Sequence, residues 1–189
     1  MKKRFYPSPN HEPRSEGIKY IIVHGTWMGS DREALERLSC QEAKVSCHYY
    51  IDKQGHLIQL VEEDQVAWHA GVSAWRNDVR LNKNSIGIEI SVLPHEKFLE
   101  CQYETLELLL KGLLNRYSLS PEAVLAHSDI APRRKDDPGR GFDWGRLEKK
   151  NLAFKNDGSI DPLNPKSLRA FGYVGEDEII LEAAALRWS

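Results

Sequence analysis

The chain predicts a mixed α/β fold, a central mixed β-sheet flanked by helices, and three observations carry that expectation. Two apolar, β-branched runs at 18–23 and 84–92 read as buried strands. A run at 100–117 sets Tyr103, Leu106, Leu109 or Leu110, Leu113 and Tyr117 on one helical face. Segments 46–51 and 57–61 flank Asp52-Lys53-Gln54-Gly55-His56, whose glycine supplies a positive φ for an antiparallel hairpin. With 189 residues, 41% hydrophobic and 29% charged, the chain is one ordinary domain with room for a small appendage.

Taken in order, residues 1–17 are polar and turn-rich, with Pro7, Pro9 and Pro13, and predict an arm or loop. The strand at 18–23 delivers His24 to its C-terminal end, and Gly25 and Thr26 turn the backbone there, where open α/β sheets keep their sites. Taken alone, such a histidine is more often a satisfied polar residue than a ligand. Residues 31–40 place Ala34, Leu35 and Leu38 at helical spacing behind an N-cap at Ser30 or Asp31. Cys47 and His48 are adjacent on a strand, so they point to opposite faces and read as structural. His56 reads as a solvated turn residue.

The stretch 66–75 gathers Trp68, His69 and Trp75 among small residues, which suggests a groove wall, although either tryptophan alone could equally plug the core. In the strand at 84–92, Glu89 is flanked by aliphatic residues. A carboxylate there needs a rim or a partner, and desolvation would raise its pKa toward the range of a general base. Ser120-Pro121-Glu122 reads as a cap and short turn, and 142–147 as a short helix. From 151 to 189 a turn-rich linker leads to a helical segment beginning at Ser167, too short for an independent core. The expected division is therefore 1–150 as the catalytic domain and 151–189 as a C-terminal extension, a packed remnant of a binding module rather than a working one.

A formal charge of −2, with no basic stripe interleaved with aromatics, argues against nucleic acid as a partner. No apolar run approaches the roughly 20 residues of a membrane span, and Met1-Lys2-Lys3-Arg4 is not followed by an apolar signal core. Three cysteines without framework spacing fit free thiols. A cytoplasmic, monomeric protein is expected, or a periplasmic one if a leader has been removed.

The chain is organised around His127-Ser128-Asp129-Ile130-Ala131-Pro132-Arg133-Arg134-Lys135-Asp136-Asp137-Pro138-Gly139, where a histidine, a lysine and a carboxylate lie between and beside two prolines. The prolines should hold Ala131 and Asp137 extended or in turns, although a charge run of this kind can also be only a solvated face. His24, His127 and Asp137 supply two imidazoles and a carboxylate, a set that suits one catalytic Zn²⁺ with a fourth position left for water. A structural zinc would fill all four positions, usually with thiolates.

Five blocks carry a resemblance to a known family: Ile21-Ile22-Val23-His24, Val45-Ser46-Cys47-His48-Tyr49, Ala67-Trp68-His69-Ala70-Gly71, Ser85-Ile86-Gly87-Ile88-Glu89, and the segment from His127 to Gly139. In that order, over about residues 5–147, they resemble the zinc-dependent N-acetylmuramoyl-L-alanine amidases of the amidase-2 and peptidoglycan-recognition-protein superfamily. The resemblance implies hydrolysis of the amide between N-acetylmuramic acid, or its 1,6-anhydro form, and L-alanine of the stem peptide. It implies zinc on His24, His127 and Asp137, catalysis by Glu89 and Lys135, and peptidoglycan fragments (muropeptides and anhydromuropeptides) as partners. Lys44, Arg80 and Arg134 fall where relatives carry basic or polar residues near substrate carboxylates, and Trp68 with His69 would line the groove. Gly25 stands where relatives often carry a bulkier residue, which would widen one side of the site. A non-cutting recognition module of the same superfamily would usually lack a metal ligand, and a zinc peptidase would more naturally carry His-Glu-x-x-His, which this chain lacks.

Overall fold

The computed structural model describes residues 3–94 and 96–188. At its centre lies β3 (Tyr20–Gly25), buried along its whole length. β3 runs parallel to β9 (Ser85–Ile90) on one side and to β10 (Val124–Ala126) on the other. β4 (Tyr49–Ile51) continues the sheet parallel to β9 and turns back antiparallel into β5 (Leu57–Gln59). β1 (Lys3–Phe5) closes that edge, giving the order β1-β5-β4-β9-β3-β10. Two small ladders stand apart, β2 (His11–Pro13) with β6 (Gln65–Ala67) and β7 (Ala74–Trp75) with β8 (Asp78–Val79).

Strand alternation sorts the core. Ile21, Val23, Ile86 and Ile88 point to one face, against Leu106, Leu110 and Leu113 of α2 (Glu100–Tyr117). Tyr20, Ile22 and Leu125 point to the other, against Trp75, Leu168, Phe171, Tyr173 and Ile180. Both faces of these parallel strands are covered, so their sequences are apolar runs without polar alternation. α1 (Asp31–Ser39) starts at Ser30, whose side chain accepts the Glu33 N–H, and packs Ala34 and Leu38 against Tyr50 and Leu60.

After β10 come α3 (His127–Ile130), α4 (Trp144–Lys149), α5 (Pro165–Phe171) and α6 (Asp177–Arg187). The last two complete the second core face. Arg187 of α6 reaches Asp129 of α3 at 2.5 Å with both side chains fully buried, and the Tyr173 hydroxyl donates to the other Asp129 oxygen.

Two expectations are corrected and one is refined. Residues 1–17 are not only an arm or loop, because β1 and β2 form inside the segment. Each has only three residues, and its partner is remote in sequence. The prolines act as expected, with Ala131 out of the helix at φ −141° and Asp137 in a turn, while residues 127–130 ahead of them are helical because Pro132 restricts only the residue before it. Trp75 is a core residue, fully buried against Phe171 and Tyr173 at ring distances of 5.4 and 5.0 Å, so it lines no groove.

Candidate metal centre

Three adjacent strands, β9, β3 and the edge strand β10, deliver the site. β3 and β9 pair with His24 opposite Glu89, and β10 is aligned so that Ala126 lies opposite Val23, which brings His127 to the same sheet end one residue later. The chain then returns to Asp137, whose carbonyl accepts the Ser128 N–H at 3.0 Å. That bond ties both ends of the organising loop together.

His24, His127 and Asp137 are 1%, 3% and 5% exposed. Among the described residues they are the one group of three such side chains whose ligand atoms converge, all within 4.8 Å. His24 Nδ1 lies 2.9 Å from His127 Nδ1, and each nitrogen lies 3.2 Å from Asp137 Oδ2. Glu89 faces them, its Oε1 3.9 Å from His24 Nδ1 and its buried Oε2 without a hydrogen-bond partner.

The hydrogen-bond chain behind the site decides which ring nitrogens are bare. The Ser85 hydroxyl donates to the Leu81 carbonyl, so its lone pair accepts from His69 Nε2 at 3.2 Å. His69 Nδ1 is then an acceptor and takes the His24 Nε2–H at 3.0 Å. His127 Nε2 donates to the Ala70 carbonyl at 3.3 Å. Both Nδ1 atoms therefore present lone pairs toward each other and toward a carboxylate, a repulsive arrangement without a cation. A tetrahedron with ligand distances of about 2.0–2.1 Å has edges of about 3.3 Å, close to the separations found, so the donor set fits zinc in both chemistry and size. Imidazole ligands held through their second nitrogen are the usual supporting arrangement.

Electrostatics separate the two carboxylates. Burial, then Asp137, pushes Glu89 up to about 8 against the pull of Lys135. Burial alone would also raise Asp137, but positive charge on the facing imidazoles, His127 first, draws it well below the usual carboxylate range, and a cation between them would act in the same direction. Burial and the neighbouring His127 push His24 down to about 4, which keeps it neutral and able to ligate.

A cavity of 190 Å³ opens on this cluster, lined by Glu89, Lys135, His127, Asp137, Trp68 and His69 among others. Other expected residues lie elsewhere. Arg80 and Arg134 line a different cavity of 1080 Å³, which contains none of His24, Glu89 and Asp137 and so is not where proton transfer would occur. Arg134 donates to the carbonyls of Ala70 and Val72, fixing the segment that also anchors His127. Lys44 is exposed beside Val45, which does line the metal cavity. His69 has both ring nitrogens engaged by His24 and Ser85, so it supports a ligand and offers no polar nitrogen to a substrate. Gly25 does not widen the site, because a Cβ there would lie 3.0 Å from Val92 and 3.2 Å from the Trp27 indole.

Sequence reasoning missed Trp27, Ser85 and Gly87. Gly87 is required because a Cβ would lie 2.3 Å from the His69 ring. A glycine in a central strand does signal a close approach, but not what approaches.

The family model described as N-acetylmuramoyl-L-alanine amidase (Amidase_2) matches residues 14–140. The chain is 40% identical to the 1,6-anhydro-N-acetylmuramyl-L-alanine amidase AmpD of Escherichia coli, over 76% of this chain and 89% of that protein. It is 38% identical to the E. coli N-acetylmuramoyl-L-alanine amidase AmiD, over 71% of this chain, and spans only about half (54%) of that relative. Among solved structures, E. coli AmiD in complex with anhydro-N-acetylmuramic acid-L-Ala-D-γ-Glu-L-Lys superposes with a TM-score of 0.75 at 32% identity, over 89% of this chain and 74% of that one. A Pseudomonas aeruginosa homologue, AmpDH3, in complex with anhydromuramic pentapeptide gives a TM-score of 0.79 at 27% identity, over 90% and 82%.

Proposed function

This chain belongs to the Amidase_2 family of N-acetylmuramoyl-L-alanine amidases, and from that premise we propose that it hydrolyses the amide joining N-acetylmuramic acid, or its 1,6-anhydro form, to L-alanine of the stem peptide. The observation that carries the reading is the triangle of bare His24 Nδ1, His127 Nδ1 and Asp137 Oδ2, faced by the unpartnered Glu89 Oε2.

His24, His127 and Asp137 would hold a zinc ion. Bound there, zinc supplies Lewis acidity, making water acidic enough to attack near neutral pH and drawing charge from the scissile carbonyl. Glu89, with a carboxyl pushed up to about 8, takes a proton from the attacking water and returns it to the leaving amine of L-alanine, so the proton count closes. Lys135, on the cavity wall, places positive charge where the carbonyl oxygen becomes negative. His69 and the Ala70 carbonyl hold the two ligating imidazoles in the required tautomer. Trp68 lines the approach. Lys44, Arg80 and Arg134 would act from outside the metal cavity.

Soluble muropeptides are the proposed substrates and a cytoplasmic monomer the proposed form, a reading supported by three free thiols. No helix among the described residues is long and apolar enough to cross a membrane. Residues 1–150 are proposed as the catalytic unit and 151–189 as an extension that completes its second core face.

The test is mass-spectrometric product analysis of the zinc-loaded protein with an anhydromuropeptide and with intact sacculi, using His127→Ala as blank. Release of free stem peptide from the soluble fragment alone supports recycling, and release from both supports action on the wall. No release from either, with binding retained, replaces the amidase by a recognition module.

A further inference from the structure

Trp27 is a bulky residue held at φ 49°, in the left-handed region, three positions after the metal-site histidine. Such a conformation persists only where its surroundings impose it, and it collects at ligand sites. The imposing bond is a long-range one, the Trp27 N–H donating to the Val92 carbonyl at 2.9 Å. It lays the indole across two glycines that bracket the site. The Nε1 edge lies over Gly25, directly after His24, and Cζ2 lies over Gly139, two residues after Asp137. A side chain at Gly25 would crowd the indole at 3.2 Å, and one at Gly139 would touch it at 3.4 Å. Packing alone would not call for this arrangement, because 37% of Trp27 remains exposed.

The exposed indole lines a cavity of 330 Å³ next to the metal cavity, across Asp137-Pro138. Leu93, Pro138 and Leu186 give it apolar walls, and among the described residues its charged lining is Asp136, Arg140 and Glu96, the last already paired with Lys53 at 2.5 Å. The metal cavity's own wall carries the cations Arg37 and Lys135 beside the site carboxylates Glu89 and Asp137. A stem peptide carries free carboxylates, whereas a muramoyl sugar presents hydroxyls and an apolar ring face suited to an indole.

Resting on the amidase reading above, we infer that Trp27 is a specificity-determining platform on which the pyranose ring of the muramoyl group stacks, leaving the stem peptide to the Arg37 and Lys135 side. Trp27 touches substrate but moves no proton. Its loss therefore weakens binding of the sugar half and leaves the chemical step in place.

Two measurements test this. In steady-state hydrolysis of N-acetylmuramoyl-L-Ala-D-γ-Glu-L-Lys by the zinc-loaded protein, Trp27→Ala should raise KM about tenfold and Trp27→Phe about threefold, with kcat moving less than about twofold. In the zinc-free protein labelled with 5-fluorotryptophan, the Trp27 resonance, identified by its loss in Trp27→Phe, should shift with millimolar N-acetylmuramic acid and stay still with the tripeptide L-Ala-D-γ-Glu-L-Lys. A shift with the tripeptide alone, a resonance still with both fragments, or a wild-type KM in Trp27→Ala overturns the platform. A wild-type protein that releases no peptide overturns the amidase reading instead, and the fluorine shift then decides by itself whether Trp27 binds the sugar.

Discussion

Two carboxylates with buried oxygens, 40 positions apart at the same end of the sheet, have opposite surroundings. Asp129 is occupied from every side, with Tyr173 on Oδ1 and the Arg187 guanidinium and Ala126 N–H on Oδ2. Glu89 has one oxygen 3.9 Å from a histidine and the other without a partner. Burying a carboxylate unpaired is costly, so a chain that does so at one position while fully satisfying the other marks the open one as the group with chemistry to do. The difference also explains why α3 needs the C-terminal helix. His127 and Asp129 lie two residues apart, one turned to the site and the other locked to Arg187.

The sharpest way to break this contrast is to neutralise each carboxylate. Glu89→Gln should lower kcat about 10²–10⁴-fold while the thermal midpoint holds or rises, since it removes a carboxyl whose charged form burial, and then Asp137, disfavours. Substantial activity left in that variant would remove Glu89 as the proton carrier. Asp129→Ala should do the reverse, costing about 3–5 kcal/mol in urea unfolding because Arg187 is left buried without its partner. An unchanged unfolding midpoint would mean that the pair contributes nothing.

Histidines extend the comparison. His69→Ala should weaken zinc binding about 10–100-fold in a chelator competition, because His24 loses the group that fixes its tautomer. Unaltered zinc affinity would return His69 to the substrate side of the groove. His48 is buried and neutral, pushed down to about 3 by desolvation, while its ordinary value is 6.5. The unfolded chain therefore binds the extra proton first, and the stability His48 contributes is full above pH 6.5 and lost as pH falls toward 3. The slope is about 1.4 kcal/mol per pH unit. His48→Gln should flatten the unfolding profile by that amount across the window, and an identical slope in both proteins would refute it.

Much of this was legible where the signal is local and periodic. The helix expected at 100–117 is the helix observed, and the strands that carry His24 and Glu89 lie within two residues of their expected bounds. Residues 142–147 and 167–173 predicted helices that begin two residues later and two earlier. Of the expected site residues, Glu89, His127, Lys135 and Asp137 line one cavity and His24 lies against His127 at 2.9 Å, because strand ends and a pinned loop can be read from short motifs. What escaped was non-local. β1, β2 and β10 have three residues each, too few for a period, and exist only through remote partners. Trp75 looked like Trp68 in sequence. Only the residues at 168–180, which pack around Trp75, bury one and leave the other on the cavity wall.

The registered pairing of β3 with β9 and β10 has a consequence for how the protein is made. His24 and His127 are 103 residues apart, and Glu89 joins them only when β3 and β9 align without a one-residue slip. His127 and Asp137 come from one loop, but the third ligand, His24, joins them only when β3 lies beside β10, so capture by the full set should wait until the long connections have closed and non-local strands have paired, the slow part of folding for such topologies. An ion that binds only the finished arrangement then stabilises the whole domain by mass action. The metal-competent and fully folded populations are one and the same.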